Sequence, residues 1–218
     1  MAYINNTTAS VSIGGVSIPG TQIKSITINE GISDGNNLTM GNSNSAEMEI
    51  ELIKVSKATT TAMRSYAPVS VSITREKITK NDEDTIPFHR AWNYFYVTKA
   101  EVKRNGNTNF YNVKVTAMDA MCKFSVKQFP QLLEDTTLGN VFETICLDIG
   151  SSGQMFRGSD IVIPYGHFAD KKYREALEII ASLVGGYAYI DESSGILIFH
   201  HICPNIQLSV MIHSFLFK

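Results

Sequence analysis

The sequence predicts a mainly β protein with a smaller α+β part, and three observations carry this prediction. From the start of the chain to about residue 126, apolar residues recur at alternate positions, which is the period of half-buried β-strands. Beyond that point the period becomes that of amphipathic helices with short strands between them. Gly, Asn, Ser and Asp residues separate these stretches as turn signals. We therefore expect a β-barrel-like domain over residues 1–126, an α+β domain over residues 127–200 and an atypical apolar tail over residues 201–218.

A glycine pair marks the first predicted hairpin. Gly14–Gly15 is a two-residue turn signal, and apolar residues lie at alternate positions on both sides of it. These flanking residues are Val11, Ile13, Val16 and Ile18. The next predicted strand places Ile26 and Ile28 on one face. The segment Glu30–Ser45 is rich in Gly, Asn and Ser and is expected to be a loop, with a short strand at Leu38–Met40.

Three further stretches of the first part have the strand period. In Glu47–Leu52, carboxylates alternate with apolar residues, which indicates a half-buried antiparallel strand. Val69–Ile73 repeats the pattern. The turn-like Asn105–Asn107 lies between two more such stretches, so we expect Trp92–Lys103 and Thr108–Ala117 to form a hairpin.

The second part contains two predicted helices. Apolar residues from Leu138 to Ile149 have helical spacing and follow Asp135–Thr137, whose side chains can cap a helix N-terminus. A second apolar stripe predicts a helix over Lys171–Val184. Both helices are expected to end at glycine, Gly150 and Gly185, because glycine adopts the left-handed conformation at little cost.

Short strands accompany these helices. Ile161–Ile163 is predicted to be a strand that Pro164 closes. Tyr187–Ile190 and Ile196–Phe199 are predicted to form a hairpin that turns at Glu192–Gly195.

Charge and composition exclude several classes of protein. The net charge of −2 and the pI near 6.2 give no overall electrostatic case for nucleic-acid binding. No apolar run reaches the length of a membrane helix, and the N-terminus lacks the features of a secretory signal. Residues 54–128 hold 13 Lys/Arg and 6 Asp/Glu. This excess is either the basic surface of one domain or a face that meets an acidic partner or a neighbouring copy.

The cysteines and histidines give no pattern typical of a metal site. Cys122, Cys146 and Cys203 are far apart, lack the paired spacing of zinc ligands, and are expected to be buried reduced thiols. His200 and His201 lie near Cys203, but adjacent residues of a strand point to opposite faces and do not easily share one ion. We predict no metal and no cofactor.

The acidic residues give no positive evidence for catalysis. Asn81–Asp84 lacks the ligand spacing of a calcium loop, so we expect a solvated loop. Glu134–Asp135 suggests a carboxylate pair for glycoside hydrolysis, but it lies where a helix cap is expected and where the helix dipole favours carboxylates. The nucleophile-elbow, phosphate-loop, zinc-protease and dinucleotide motifs are absent from the sequence. We predict no catalytic residues and no enzyme, and a cell-wall hydrolase that uses Glu134 is kept as a hypothesis to test.

Several segments, taken in order, resemble one protein family. Tyr96–Thr98 precedes Asn112–Phe124, which contains the pattern T-A-x-D-A-M-x-K. Thr137–Cys146 then reads T-L-G-x-x-x-x-x-I-C, and Tyr173–Leu197 reads Y-R-E-x-L-x-x-I-A-x-L-x-G-G-x-A-x-I-D-x-x-x-G-x-L. This series resembles the baseplate-hub or tail-spike family of tailed bacteriophages, of the prophage type. Within it, Asp119 is expected to cap a short helix that leads into the second domain.

The resemblance implies a structural role in a phage tail or a prophage-derived particle. It implies hub-like β-barrel domains that assemble as a ring, a homotrimer, which links a distal tail or tail-tube protein to tail fibres or lytic modules. The implied location is the virion tail, with synthesis in the bacterial cytoplasm and neither sequence-specific nucleic-acid binding nor membrane insertion. The family's chain would continue with further strands after Phe199, so the apolar tail suggests a truncated C-terminus. The predicted interface elements are the Gly31–Ser45 loop, the basic Arg64–Arg104 face and the tail from Gln207.

An alternative prediction comes from the aromatic residues. Trp92, Tyr94 and Tyr96 could form a platform for sugar rings, with Trp92 and Tyr94 on one face of a strand. The chain would then be a carbohydrate- or cell-surface-binding β module.

Overall fold

The computed structural model of the chain contains two compact units. The first takes its residues from Met1–Asn29 and Glu47–Asp119, and the second from Glu30–Ala46 and Ala120–Lys218. The residues described are 5–30, 45–77, 88–129, 132–150, 154–157, 161–168, 170–191 and 194–201. The expected loop strand at Leu38–Met40, the acidic segment Asn81–Asp84 and the tail from Gln207 lie outside these ranges.

One antiparallel sheet forms the first unit, in the strand order β2–β1–β5–β6–β7–β4–β3. The strands are β1 (Asn5–Ile13), β2 (Val16–Ile18), β3 (Ile23–Asn29), β4 (Glu47–Ser56), β5 (Pro68–Lys77), β6 (Phe88–Arg104) and β7 (Phe110–Asp119). A short helix, α1 (Lys57–Ala62), follows β4. It begins because the Ser56 hydroxyl accepts a hydrogen bond from the Thr59 backbone N–H at 3.2 Å.

The predicted strands of this unit are confirmed where the sequence alternates. In β4, Met48, Ile50 and Leu52 are at most 1% exposed, while Glu49 and Glu51 lie on the opposite, half-exposed face. The turn between β1 and β2 is also confirmed, and Gly14 and Gly15 adopt φ of +58° and +81°. The β6–β7 pair is the expected hairpin.

Four bulges interrupt the pairing and bend the sheet. On β6, Trp92 lies opposite Val71 and Phe95 opposite Val69, so β6 carries one extra residue between them. The other three bulges lie between Val97 and Lys99 on β6, between Leu52 and Val55 on β4, and between Ile23 and Ser25 on β3. Because a bulge increases the local twist and bends its strand, these positions curve the sheet.

The two edges of the described sheet are β2 and β3, so the sheet is open. They are consecutive along the chain, and a 3₁₀ turn at Gly20–Gln22 connects them. Because every neighbouring pair is antiparallel, counting directions from β2 through the sheet order gives β2 and β3 the same direction.

The second unit combines helices and short strands in an α+β arrangement. Its elements are α2 (Met121–Phe124), β8 (Leu132–Thr137), α3 (Leu138–Ile149), β9 (Gln154–Arg157), β10 (Val162–His167), α4 (Tyr173–Val184), β11 (Gly186–Ile190) and β12 (Leu197–His201). Strands β8 and β10 form an antiparallel ribbon. Strand β12 lies between β11, which is antiparallel to it, and β9, which is parallel to it.

Both long helices end at the predicted glycines and α3 begins at the predicted cap, whereas α4 begins at Tyr173, two residues after the predicted Lys171. The Thr137 hydroxyl accepts a hydrogen bond from the Asn140 backbone N–H at 3.2 Å and so caps α3. Gly150 and Gly185 end α3 and α4 in the left-handed conformation, with φ of +69° and +68°. The predicted stripe of α4 is buried at Tyr173, Ala176, Leu177, Ile180 and Ala181.

Three local predictions for this unit were wrong. Pro164 does not close its strand, because β10 continues to His167 and pairs again at Tyr165 opposite Glu134. In a two-stranded ribbon a proline nitrogen that faces away from the partner costs no ladder hydrogen bond. Glu134 and Asp135 belong to β8 rather than to a helix cap. The residue at the N-cap of α2 is Ala120, and Asp119 is the last residue of β7.

Candidate interaction surface

The outer face of the first unit carries a set of charged side chains on four neighbouring strands. We call this set the charged ladder, and its members are Lys24, Glu49, Glu51, Lys99, Glu101 and Lys114. The sheet register aligns Glu51 of β4, Lys114 of β7 and Glu101 of β6 in one row. Positive and negative side chains therefore alternate across the strands.

Every member of the charged ladder lies within ion-pair distance of another member. The Lys24 Nζ is 2.6 Å from Oε2 of Glu51, which links β3 to β4. The Lys114 Nζ is 2.8 Å from Oε2 of Glu49, which links β7 to β4. On β6, the Lys99 Nζ is 2.7 Å from Oε1 of Glu101. These pairs are solvent-exposed, so each contributes little alone and weakens with salt.

The pKa values of three members shift in the direction that mutual pairing predicts. The hydrogen bond and charge of Lys24 lower the pKa of Glu51, and those of Lys99 lower the pKa of Glu101. The hydrogen bond from Lys114 to Glu49 raises the pKa of Lys114. All three groups are held in their charged forms at neutral pH.

A shallow groove of about 210 Å³ lies within this face, at the bulge of β4. Its polar rim comprises Lys24, Glu51, Glu101, Lys103, Asn112 and Lys114. Leu52, Ile53 and Val113 also border it, although the side chains of Leu52 and Val113 are buried on the inner face. The Asn112 Oδ1 accepts a hydrogen bond from the Lys54 backbone N–H at 3.3 Å, where Lys54 adopts a φ of +55° in the bulge. The groove therefore has a fixed shape and side chains of both signs.

The outer face carries no charged residue on β2, on β1 and on the part of β5 from Pro68 to Thr74. Small hydroxyl side chains lie opposite one another there. The alternate positions between them point inward and are occupied by apolar residues of the core. On this face Ser12 of β1 lies opposite both Ser17 of β2 and Ser70 of β5. Ser10 lies opposite Ser72, and Thr8 lies opposite Thr74. The sequence analysis noted the carboxylates of β4, but only the strand register shows which lysines they meet.

The aromatic platform of the alternative prediction does not form. Trp92 is 5% exposed and therefore presents no free ring face to a sugar. The β6 bulge lies between Trp92 and Phe95, so the inward face shifts from one set of alternate positions to the other. Tyr94 is consequently not on the same face as Trp92, and the prediction that they share one was wrong. The Arg90 guanidinium carbon lies 4.9 Å from the centre of the Trp92 ring.

The other side chains that the sequence analysis singled out lie at scattered positions in the second unit. Glu134 and Asp135 are exposed on β8, and Asp135 adopts a φ of +40°. Cys146 is a buried free thiol, as predicted, and Cys122 is another. Burial raises the pKa of Cys146 to about 11, which disfavours a reactive thiolate. His200 packs against the ring of Tyr187 with 5.2 Å between ring centres, and Cys203 lies outside the described residues.

The structure describes only part of the predicted interface elements. Residues 31–44 and the tail from Gln207 lie outside the described ranges. Within the predicted basic face Arg64–Arg104, Lys99 belongs to the charged ladder and Lys103 to the groove. The nearest acidic partner of Lys99 is thus Glu101 on its own strand.

Two other kinds of site are absent from the part of the chain that the structure describes. No helix there has the length and apolar character needed to cross a bilayer. In the same ranges, no three His, Cys, Asp or Glu side chains come together in a group that could hold a metal ion.

Comparison with solved structures identifies tail proteins of the same fold. The 43 kDa tail protein of prophage MuSo2 from Shewanella oneidensis matches with a TM-score of 0.60 and 11% identity, over 89% of this chain and 53% of that one. The tail protein from Neisseria meningitidis MC58 matches with a TM-score of 0.57 and 10% identity, over 88% and 51%. A chain of the lidded Francisella PdpA–VgrG complex matches with a TM-score of 0.59 and 10% identity, over 90% and 28%.

No family model and no curated protein sequence matches the chain. The chain spans about half the length of the two tail proteins. At 10–11% identity the likeness is one of fold. The chain therefore has the mainly β fold of these phage tail proteins, which confirms the resemblance seen in its sequence.

Proposed function

We propose that this chain is a structural component of the tail of a bacteriophage or a prophage-derived particle, acting as a hub. The observation that carries the proposal is the fold match to a prophage tail protein across 89% of the chain. The charged ladder is consistent with this role, since it is an ordered surface for contacts and holds no arrangement of nucleophile and base.

In the assembled particle the sheet of the first unit closes into a barrel. The bulges that bend β3, β4 and β6 support closure, since they curve the sheet. Copies of the chain then form a ring, a trimer, in which one heterologous contact is used repeatedly around the axis. One side of the ring meets a distal tail or tail-tube protein, and the other side meets fibres or lytic modules.

The charged ladder is the surface that we assign to contacts with neighbouring tail components. Its pairs already neutralise one another, so it excludes partners of a single charge sign and favours those with a matching alternation. Its position on rigid neighbouring strands keeps that pattern in a fixed register.

The test is assembly of the full chain, alone and with a tail-tube protein from the same genome. Sedimentation velocity and negative-stain microscopy should show rings, and the tube protein should co-sediment with them. The variant Glu51→Lys should weaken assembly, and the exchange Lys24→Glu with Glu51→Lys should restore part of it, because the exchange rebuilds the pair with reversed sign. Absence of both rings and tube binding across the concentration range would overturn the proposal.

A further inference from the structure

Strand β3 is an edge strand whose second half lacks the usual protection against pairing with another strand. Among the described strands it pairs with β4 alone. Its first half is protected by a register shift between Ile23 and Ser25 and by Lys24. The segment Ser25–Asn29 contains neither a charged residue nor a proline.

The apolar face of β3 is also incompletely covered. Ile23, Ile26 and Ile28 are all only half-buried. By contrast, Met48 and Ile50, which lie opposite two of them on β4, are 0% exposed. The core is therefore closed at β4 and open at β3, so that another strand beside β3 would bury isoleucine surface.

Strands β2 and β11, two other edge strands, lack this combination. Strand β2 has only three residues. Strand β11 is longer, but its inward residues Ala188 and Ile190 are already 0% and 3% exposed. An open backbone edge and partly exposed core residues therefore coincide at β3.

We propose that a second copy of this chain pairs its own β3 with this edge, in antiparallel orientation about Thr27. The segment Ser25–Asn29 is self-complementary in this register. Each Ile26 lies opposite Ile28 of the second copy on the apolar face, and each Ser25 lies opposite Asn29 of the second copy on the outer face. Both copies of Lys24 stay outside the paired segment and keep their contact with Glu51.

This pairing uses the β3 edge that barrel closure occupies in the assembled particle, so it belongs to the free chain and is distinct from the ring. A two-fold contact uses the same surface on both copies and closes after two, whereas a ring requires a heterologous contact. The two assemblies therefore differ in size and in the residues on which they depend.

The first experiment is sedimentation velocity of the full chain up to tens of micromolar, with Thr27→Lys as the variant. Thr27 is exposed on the outer face, so the substitution leaves the core intact and brings two lysines opposite each other at the two-fold axis. We expect a dimer whose dissociation constant rises by about tenfold or more in the variant. Ser17→Lys, at an exposed outer position of β2, is the matched control and should leave the dimer unchanged.

Cross-linking gives a second measurement, because a disulfide traps the dimer covalently even when the two copies bind each other weakly. In a Cys203→Ser background, Thr27→Cys should form a disulfide-linked dimer much faster than Ser17→Cys. Equal rates for the two, or a wild-type chain that stays monomeric, would overturn the proposal. A larger oligomer that is unaffected by Thr27→Lys would support the ring and overturn pairing through β3.

Discussion

The Lys114 ammonium bridges diagonally to Glu49, with 2.8 Å between Nζ and Oε2, although the residue directly opposite Lys114 is Glu51. Glu51 is instead held by Lys24 of β3, at 2.6 Å. The two carboxylates of β4 thus bridge to opposite sides, one to β7 and the other to β3. A slip of one residue in either pairing would turn these charges toward the core, so the outer face favours the same register as the buried face.

The charged ladder should make the free energy of unfolding depend on pH in the acidic range. Lys24 and Lys99 lower the pKa values of Glu51 and Glu101 in the folded chain. A lowered folded pKa means that the stabilisation is fully present above the unfolded pKa, which is about 4.3 for Glu, and is lost as the pH falls through the folded value. The urea midpoint should therefore fall on acidification, and less in Glu51→Gln than in the wild type. High salt should reduce this difference, and a difference insensitive to both salt and pH would contradict the pairing.

The two glycines of the first turn should differ in their tolerance of alanine. A Cβ at Gly14 would lie 2.3 Å from the carbonyl oxygen of Ala62 in α1, whereas a Cβ at Gly15 would meet nothing within 4 Å. Both have positive φ, so Gly15→Ala should cost about 1–2 kcal/mol of strain. Gly14→Ala should cost roughly 1–3 kcal/mol more, because the backbone of α1 must move. Urea unfolding of both variants measures the difference, and equal losses would show that α1 does not restrict the turn.

Much of the fold could be predicted from local patterns, and the failures have physical causes. The carboxylate alternation of β4 and the capping signals of α3 act within one element, so the sequence predicts them directly. The bulge after Trp92 inserts one residue without a sequence signal, and it reversed the predicted face of Tyr94. Strand β8 exists through its pairing with β10, and Leu132–Thr137 alone has no alternating pattern. The charged ladder likewise requires the pairing order of four strands, which local periodicity does not contain.

Removal of the Tyr173 hydroxyl should destabilise the second unit without disturbing its packing. This hydroxyl donates a hydrogen bond to Oδ2 of Asp148, and its ring lies edge-on to Phe129 at 5.4 Å between centres. Tyr173→Phe keeps the ring and should cost about 1.5–3 kcal/mol, the range for a hydrogen bond to a charged group. Tyr165→Phe, at a side chain that is 49% exposed, is the matched control and should be nearly neutral.

Alkaline titration provides a second measurement at the same residue. Burial and the bond to Asp148 raise the pKa of Tyr173, so its protonated form is the stable one in the folded chain. The stabilisation is full below the ordinary tyrosine pKa of about 10 and declines as the pH rises above it. Phenolate absorbance should therefore show one fewer late-titrating tyrosine in Tyr173→Phe. An unchanged titration would contradict the assignment.

Cys146 should be unreactive in the folded protein and should make stability fall at high pH. Its side chain is 3% exposed, and burial raises its pKa to about 11 from an ordinary value near 8.5. The thiolate is thus disfavoured in the folded chain, and stability is full below the unfolded pKa and declines as the pH rises toward the folded one. Alkylation at mildly alkaline pH, read by peptide mass spectrometry, should modify Cys146 only after urea is added. Cys146→Ser should cost about 1–3 kcal/mol, because a hydroxyl takes the place of a thiol in an apolar site, and Cys146→Ala separates this cost from that of the lost volume. Alkylation of the native chain at the rate of the unfolded one would show that the site is open to solvent.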